Sequence, residues 1–130
     1  MSNRSKVRLS PIQGQILLIL EEAGEEYITT VLNTLKIEFP EVAPGDFIRE
    51  AEQAIQGLIR ASFVSFWRET GKTSPSSTPL SPGEVQQIFP LDGLMRWDEQ
   101  SAFWVWDESR AGSHRVSVVL TESGQRTVRS

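Results

Sequence analysis

Between Asp46 and Arg68 the hydrophobic period of the chain changes once, and that change limits the folds open to it. In DFIREAEQAIQGLIRASFVSFWR, Phe47, Ile48, Ala51, Ala54, Ile55, Leu58 and Ile59 recur at steps of three and four, the spacing of one helix face. From Phe63 to Trp67 the step becomes two, the spacing of a strand. A helix therefore runs straight into a strand, and both must bury their apolar sides in one core.

Two further helices are expected before this junction. Ser10 can cap the first, with Pro11 in the first helical position, where its missing N–H costs nothing. Ile12, Ile16, Ile19 and Leu20 give it an apolar face, and Gly24 can end it in a left-handed conformation. The second helix covers about 27–37, with Ile28, Val31, Leu32 and Leu35 on one side and Thr29, Thr30, Asn33 and Lys36 facing away. Pro40 sets its latest end, and EVAPG at 41–45 reads as a turn, after which Asp46 caps or supports the third helix.

Beyond the junction, 69–82 (ETGKTSPSSTPLSP) has the Ser, Thr, Pro and Gly content of a surface loop. Gly71-Lys72-Thr73 looks like the end of a phosphate loop, but that motif needs a glycine where Phe66 stands, inside the strand. Ser81 and Glu84 form a capping box for a short helix that Pro90 stops. Leu91, Leu94, Met95 and Trp97 then supply apolar surface to cover the sheet or a neighbouring subunit. Two more strands follow, 102–106 (AFWVW) and 116–120 (VSVVL). With 63–67 they are expected to form a three-stranded antiparallel sheet, and DESRAGSHR at 107–115 its exposed hairpin tip.

The segment LTESGQR at 120–126 resembles the LTxxGxR stretch that follows the wing in MarR- and PadR-like winged helix-turn-helix regulators, where the threonine caps a last helix. Residues 54–64 (AIQGLIRASFV) resemble the same superfamily's passage from helix to short hydrophobic strand. The resemblance covers roughly 10–68 and 101–128. It implies an α+β winged-helix fold of three helices and a three-stranded sheet, in which 69–100 are an insertion between strand and wing. The whole chain then forms a single domain behind a basic N-terminal arm, residues 1–9, with Arg4, Lys6 and Arg8. The resemblance further implies binding of double-stranded DNA as a dimer. The family dimerises through long terminal helices, whereas the tail after Thr121 has room for two turns, so a homodimer would need another surface.

In such a fold the third helix is the recognition helix. Arg49, Gln53, Gln56 and Arg60 lie along one side of it, and these residue types donate to guanine or adenine edges. Arg110, His114 and Arg115 at the hairpin tip would touch phosphates or the minor groove. Against this stand Asp46, Glu50 and Glu52 beside the arginines and a formal charge of −4 for the chain, a poor surface for phosphate. The other reading of this helix is a solvated face held by pairs such as Glu52 with Gln56.

The tryptophans offer a second candidate surface. Trp67, Trp97, Trp104 and Trp106 fall in or beside the expected sheet, with Trp104 and Trp106 on one strand face and Phe103 and Val105 on the other. Either the insertion folds over this face to make a second small core, or the face holds a protein partner or an aromatic ligand.

The remaining chemistry is sparse. One histidine and no cysteine exclude a thiolate or multi-histidine metal site and leave no partner set for a Ser-His-Asp arrangement near a buried position. The carboxylates come as surface pairs, so neither an enzyme nor a cofactor is expected. No apolar run approaches the roughly 20 residues a bilayer requires. The apolar ILLIL after the basic N-terminus is short and runs into EEAGEE, unlike a signal peptide, so a cytoplasmic protein is expected. The leading expectation is a DNA-binding transcriptional regulator or accessory factor; the alternative is a protein-interaction module that uses the acidic helix face and the tryptophan-rich sheet, and a third reading is a sensor holding a small molecule under the insertion.

Overall fold

The computed structural model describes residues 8–69, 77–112 and 115–129. Most of the basic arm, Gly71-Lys72-Thr73 and His114 lie outside the described residues. Helix α1 spans Pro11–Ala23, closed at its start by a capping box in which Ser10 Oγ accepts from the Gln13 N–H at 3.1 Å and Gln13 Oε1 from the Ser10 N–H at 3.0 Å. It ends at Gly24 with φ +83°. A short strand β1, Glu25–Tyr27, intervenes before α2, Ile28–Glu38. The β-branched start of α2 runs against helix propensity. Burial outweighs it, because Ile28, Val31, Leu32 and Leu35 are fully enclosed.

Helix α3 spans Pro44–Arg60, so the turn expected through 45 ends earlier: Pro44 takes the first helical position, and Asp46 sits in the first turn. Its C-terminus is a Schellman motif. Ser62 adopts φ +63°, its N–H bonds the Ile59 carbonyl, and the Phe63 N–H reaches the Leu58 carbonyl at 2.9 Å. The chain thus reverses in two residues and enters β2, Val64–Glu69.

The following elements are β3 (Ser77–Pro79), α4 (Pro82–Gln87), a 3-10 turn at Leu91–Gly93, β4 (Met95–Asp98), β5 (Phe103–Trp106), α5 (Glu108–Ala111), β6 (Val116–Leu120) and α6 (Glu122–Arg129). The fold is α+β. Among the described residues six α-helices accompany six strands, which form a four-stranded sheet in the order β1-β6-β2-β3 and a separate β4-β5 hairpin. All the pairings are antiparallel.

The expected three-stranded sheet is corrected by this topology. Strand β5 does not join β2 or β6; it pairs with β4, with Met95 opposite Trp106 and Asp98 opposite Phe103. A partner reached through four turn residues needs far less loop closure than a distant sheet edge. The place left beside β6 is filled by β1, Glu25 opposite Val119. Residues Glu108–Ala111 close into α5 instead of forming part of a hairpin tip, and the expected insertion at 69–100 is continuous with β5 and α5 in one long segment between β2 and β6, called the insertion below.

One core holds these parts together. Val64 and Phe66 of β2 and Val116, Val118 and Leu120 of β6 alternate onto the helices, and Ile88, Leu91, Leu94, Met95, Trp104 and Trp106 of the insertion join the same buried cluster. Behind it, Thr121 donates its hydroxyl to the Ser62 carbonyl at 2.6 Å and accepts from the Gly124 N–H at 3.1 Å, capping α6. A Cβ on Gly124 would lie 2.1 Å from the Phe63 carbonyl oxygen, so α6 meets the α3–β2 junction through glycine only.

Candidate interaction surface on α3

The outward side of α3 carries Arg49, Gln53 and Arg60, all exposed, and a half-buried Gln56. At steps of three and four they share one side of the helix. Arg49 is paired with Asp46, and both side chains are more than 60% exposed, at 72% and 62%, so water screens the pair to about 0.2–1 kcal/mol. Glu52, expected to pair with Gln56, points elsewhere: its Oε1 accepts the Leu91 N–H at 2.8 Å and ties the insertion to α3.

Beside the first half of this helix runs a groove of about 440 Å³, floored by Pro11, Ile12, Phe39, Val42 and Phe47, with Glu50 and Gln53 on its rim. A polar hollow continues it past Val42 to Glu41, Asp46 and Arg49. Both walls are fixed. Gln13 donates to the Ala54 carbonyl at 3.2 Å, joining the start of α1 to α3. The Lys36 ammonium donates to the carbonyls of Phe39 and Pro40 and lies 5.9 Å from the centre of the Phe47 ring, holding the α2–α3 turn. Along the second half of α3, Gln56 and Arg60 line a cleft of about 300 Å³ against Val85, Gln86 and Phe89.

The residues expected at a wing tip are placed differently. Arg110 reaches Asp107 at 2.9 Å and the carbonyls of Asp92 and Met95 at 2.6 and 3.3 Å, so its guanidinium closes α5 onto β4. Ser109 and then Arg110 hold the Asp107 carboxyl below its ordinary range. Arg115 stands over the Tyr27 ring, 5.4 Å from its centre, and its N–H approaches Glu69. The Tyr27 hydroxyl donates to Glu69, and that bond, followed by burial, raises the phenol above its ordinary value of 10.0. Two of the three expected phosphate contacts thus have structural work elsewhere.

Of the four tryptophans, Trp104 and Trp106 are buried, which removes them from the expected interaction surface. The insertion folds on itself and against α2 instead of leaving a bare sheet face. Trp106 donates to the Gly112 carbonyl at 2.7 Å, and Trp97 meets Trp104 edge to face at 5.3 Å. Trp67 and Trp97 are half-buried. Asn33, expected to face solvent, holds the free edge of β5: its Oδ1 accepts the Trp104 N–H at 2.6 Å and its Nδ2 donates to the Trp104 carbonyl at 3.0 Å.

The roles of Asn33, Glu52, Tyr27 and Glu69 could not be read from the sequence, where each looks like an ordinary surface residue. Those roles depend on which distant backbone reaches them. Among the described residues no group of three or more His, Cys, Asp or Glu side chains could hold a metal ion, and no helix is long and apolar enough to cross a membrane. No family model, curated protein or solved structure matches the chain.

Proposed function

We propose that this chain is a winged-helix protein-interaction module that docks a polypeptide on the outward side of α3. The winged-helix reading rests on element order: α1-β1-α2-α3-β2, a return strand β6 between β1 and β2, and a large insertion where a wing would stand. The observation that carries the function is the character of the open helix face. An apolar groove bordered by Glu41, Asp46 and Glu50 suits a protein partner better than phosphate, which repels such a border.

DNA binding is the second reading. Arg60 favours it, being exposed at the end of the same face and without a carboxylate partner among the described residues. A photo-crosslinking residue at Gln53 separates the two in the source cell, with the same residue at the exposed Gln125 of α6 as control. Crosslinks to polypeptide from position 53 and not 125 are expected. Nuclease-sensitive crosslinks at 53 would overturn the proposal. The purified protein is expected to show no steep salt dependence in its binding to a mixed-sequence duplex between about 20 and 200 mM salt. A steep slope, lost in Arg49→Ala/Arg60→Ala, would establish DNA instead.

A further inference from the structure

We infer that the groove at the start of α3 takes a peptide segment with one or two large apolar side chains flanked by lysine or arginine. This rests on the protein-docking reading and gives the partner its chemistry. The floor supplies the apolar half of the argument: Ile12, Phe39 and Val42 are only partly covered, and about 440 Å³ lies within the roughly 300–1,000 Å³ of sites that enclose small ligands or side-chain anchors.

The border supplies the other half. Arg49, the one cation lining it among the described residues, is engaged with Asp46, and Lys36 behind it is engaged with the carbonyls of the α2–α3 turn. Glu41 and Glu50 are exposed and have no ion-pair or hydrogen-bond partner among the described residues. The unmatched charge around the apolar floor is therefore negative. An incoming cation finds partners there and an incoming carboxylate finds none, so charge selects the partner after the apolar floor has anchored it. The walls are held by the Gln13 and Lys36 hydrogen bonds, so the groove stands formed before a ligand arrives and docking pays little to order it.

The test is selection from a random peptide library displayed on phage, carried out in parallel on the full chain and on Glu41→Lys/Glu50→Lys. Both positions are exposed, so the variant keeps its fold, which circular dichroism checks. Peptides selected on the original chain are expected to carry Leu, Ile, Phe or Trp beside Lys or Arg. They should bind the variant about tenfold more weakly, as the loss of one or two screened charge pairs requires. Selection on the variant should enrich Asp and Glu instead. Amide shifts on binding should centre on Ile12, Val42 and Gln53.

Apolar peptides that shift those amides without enrichment of basic residues would overturn the charge class while leaving the docking reading in place. Failure to select any peptide over bare support would overturn this proposal. Should a DNA duplex then shift the α3 amides, the docking reading would fall with it.

Discussion

At Gly124 a single hydrogen in place of a methyl group decides whether α6 can close on the α3–β2 junction. A methyl carbon there would stand 2.1 Å from a backbone oxygen that already accepts the Thr121 N–H, so neither partner can yield. Gly124→Ala is expected to cost about 2–3 kcal/mol in urea denaturation, and a change below about 0.5 kcal/mol would show that α6 is not packed as described. Tyr27 acts at the same scale. Its folded phenol titrates above 10.0, so the neutral form is the one the fold favours. The stability it contributes is fully present below pH 10.0 and is lost as pH rises through the folded value. Tyr27 is the only tyrosine. A phenolate absorbance titration should therefore read it directly, and Tyr27→Phe should flatten the loss of stability above pH 10.0. An ordinary titration midpoint in the native protein would contradict the Glu69 bond.

Among the elements, the β4-β5 hairpin depends most on a side chain from elsewhere. Two-stranded hairpins are marginal by themselves. This one gains a third edge from Asn33, whose amide pairs with both backbone groups of Trp104 as a neighbouring strand would. Asn33→Ala leaves both without that partner and is expected to cost about 2–3 kcal/mol. Hydrogen exchange should localise the loss to residues 95–106, and unchanged protection there would refute the clamp. This is also where expectation and structure diverged. Asn33 belongs to the polar stripe of α2, which periodicity assigns to solvent, and the strand at 103–106 has the β-propensity to enter any sheet. Neither fact contains the address of the partner. By contrast, α1 with its Ser10 cap, the capping box at Ser81 and the helix-to-strand junction rest on residues within a few positions of one another, and these were legible in the sequence.

For the whole molecule, the question is whether the insertion is an ornament or part of the core. Ile88, Leu91, Met95 and Trp104 are buried in one cluster with Ile16, Leu32 and Phe47, so the two parts should unfold together. The tryptophans report on this, since all four lie in β2 or the insertion while most of the helix signal comes from α1 to α3. Tryptophan fluorescence and far-ultraviolet circular dichroism are expected to give the same urea midpoint. Separate midpoints would make the insertion an independent folding unit.

The candidate site follows the same division. That Arg49, Gln53, Gln56 and Arg60 share a side of one helix was determined by the sequence, because helical spacing is a local property. The acidic balance around them was equally plain. Tertiary structure decided the rest: Glu52 turned to the Leu91 amide, Arg110 closed α5, Arg115 stacked on Tyr27, and Phe39 and Val42 opened a groove against the start of α1. The physical reason is range. Periodicity and capping act over one or two turns and can be read from the chain, whereas a groove or a clamp exists only when segments far apart in sequence are brought within hydrogen-bond or van der Waals reach.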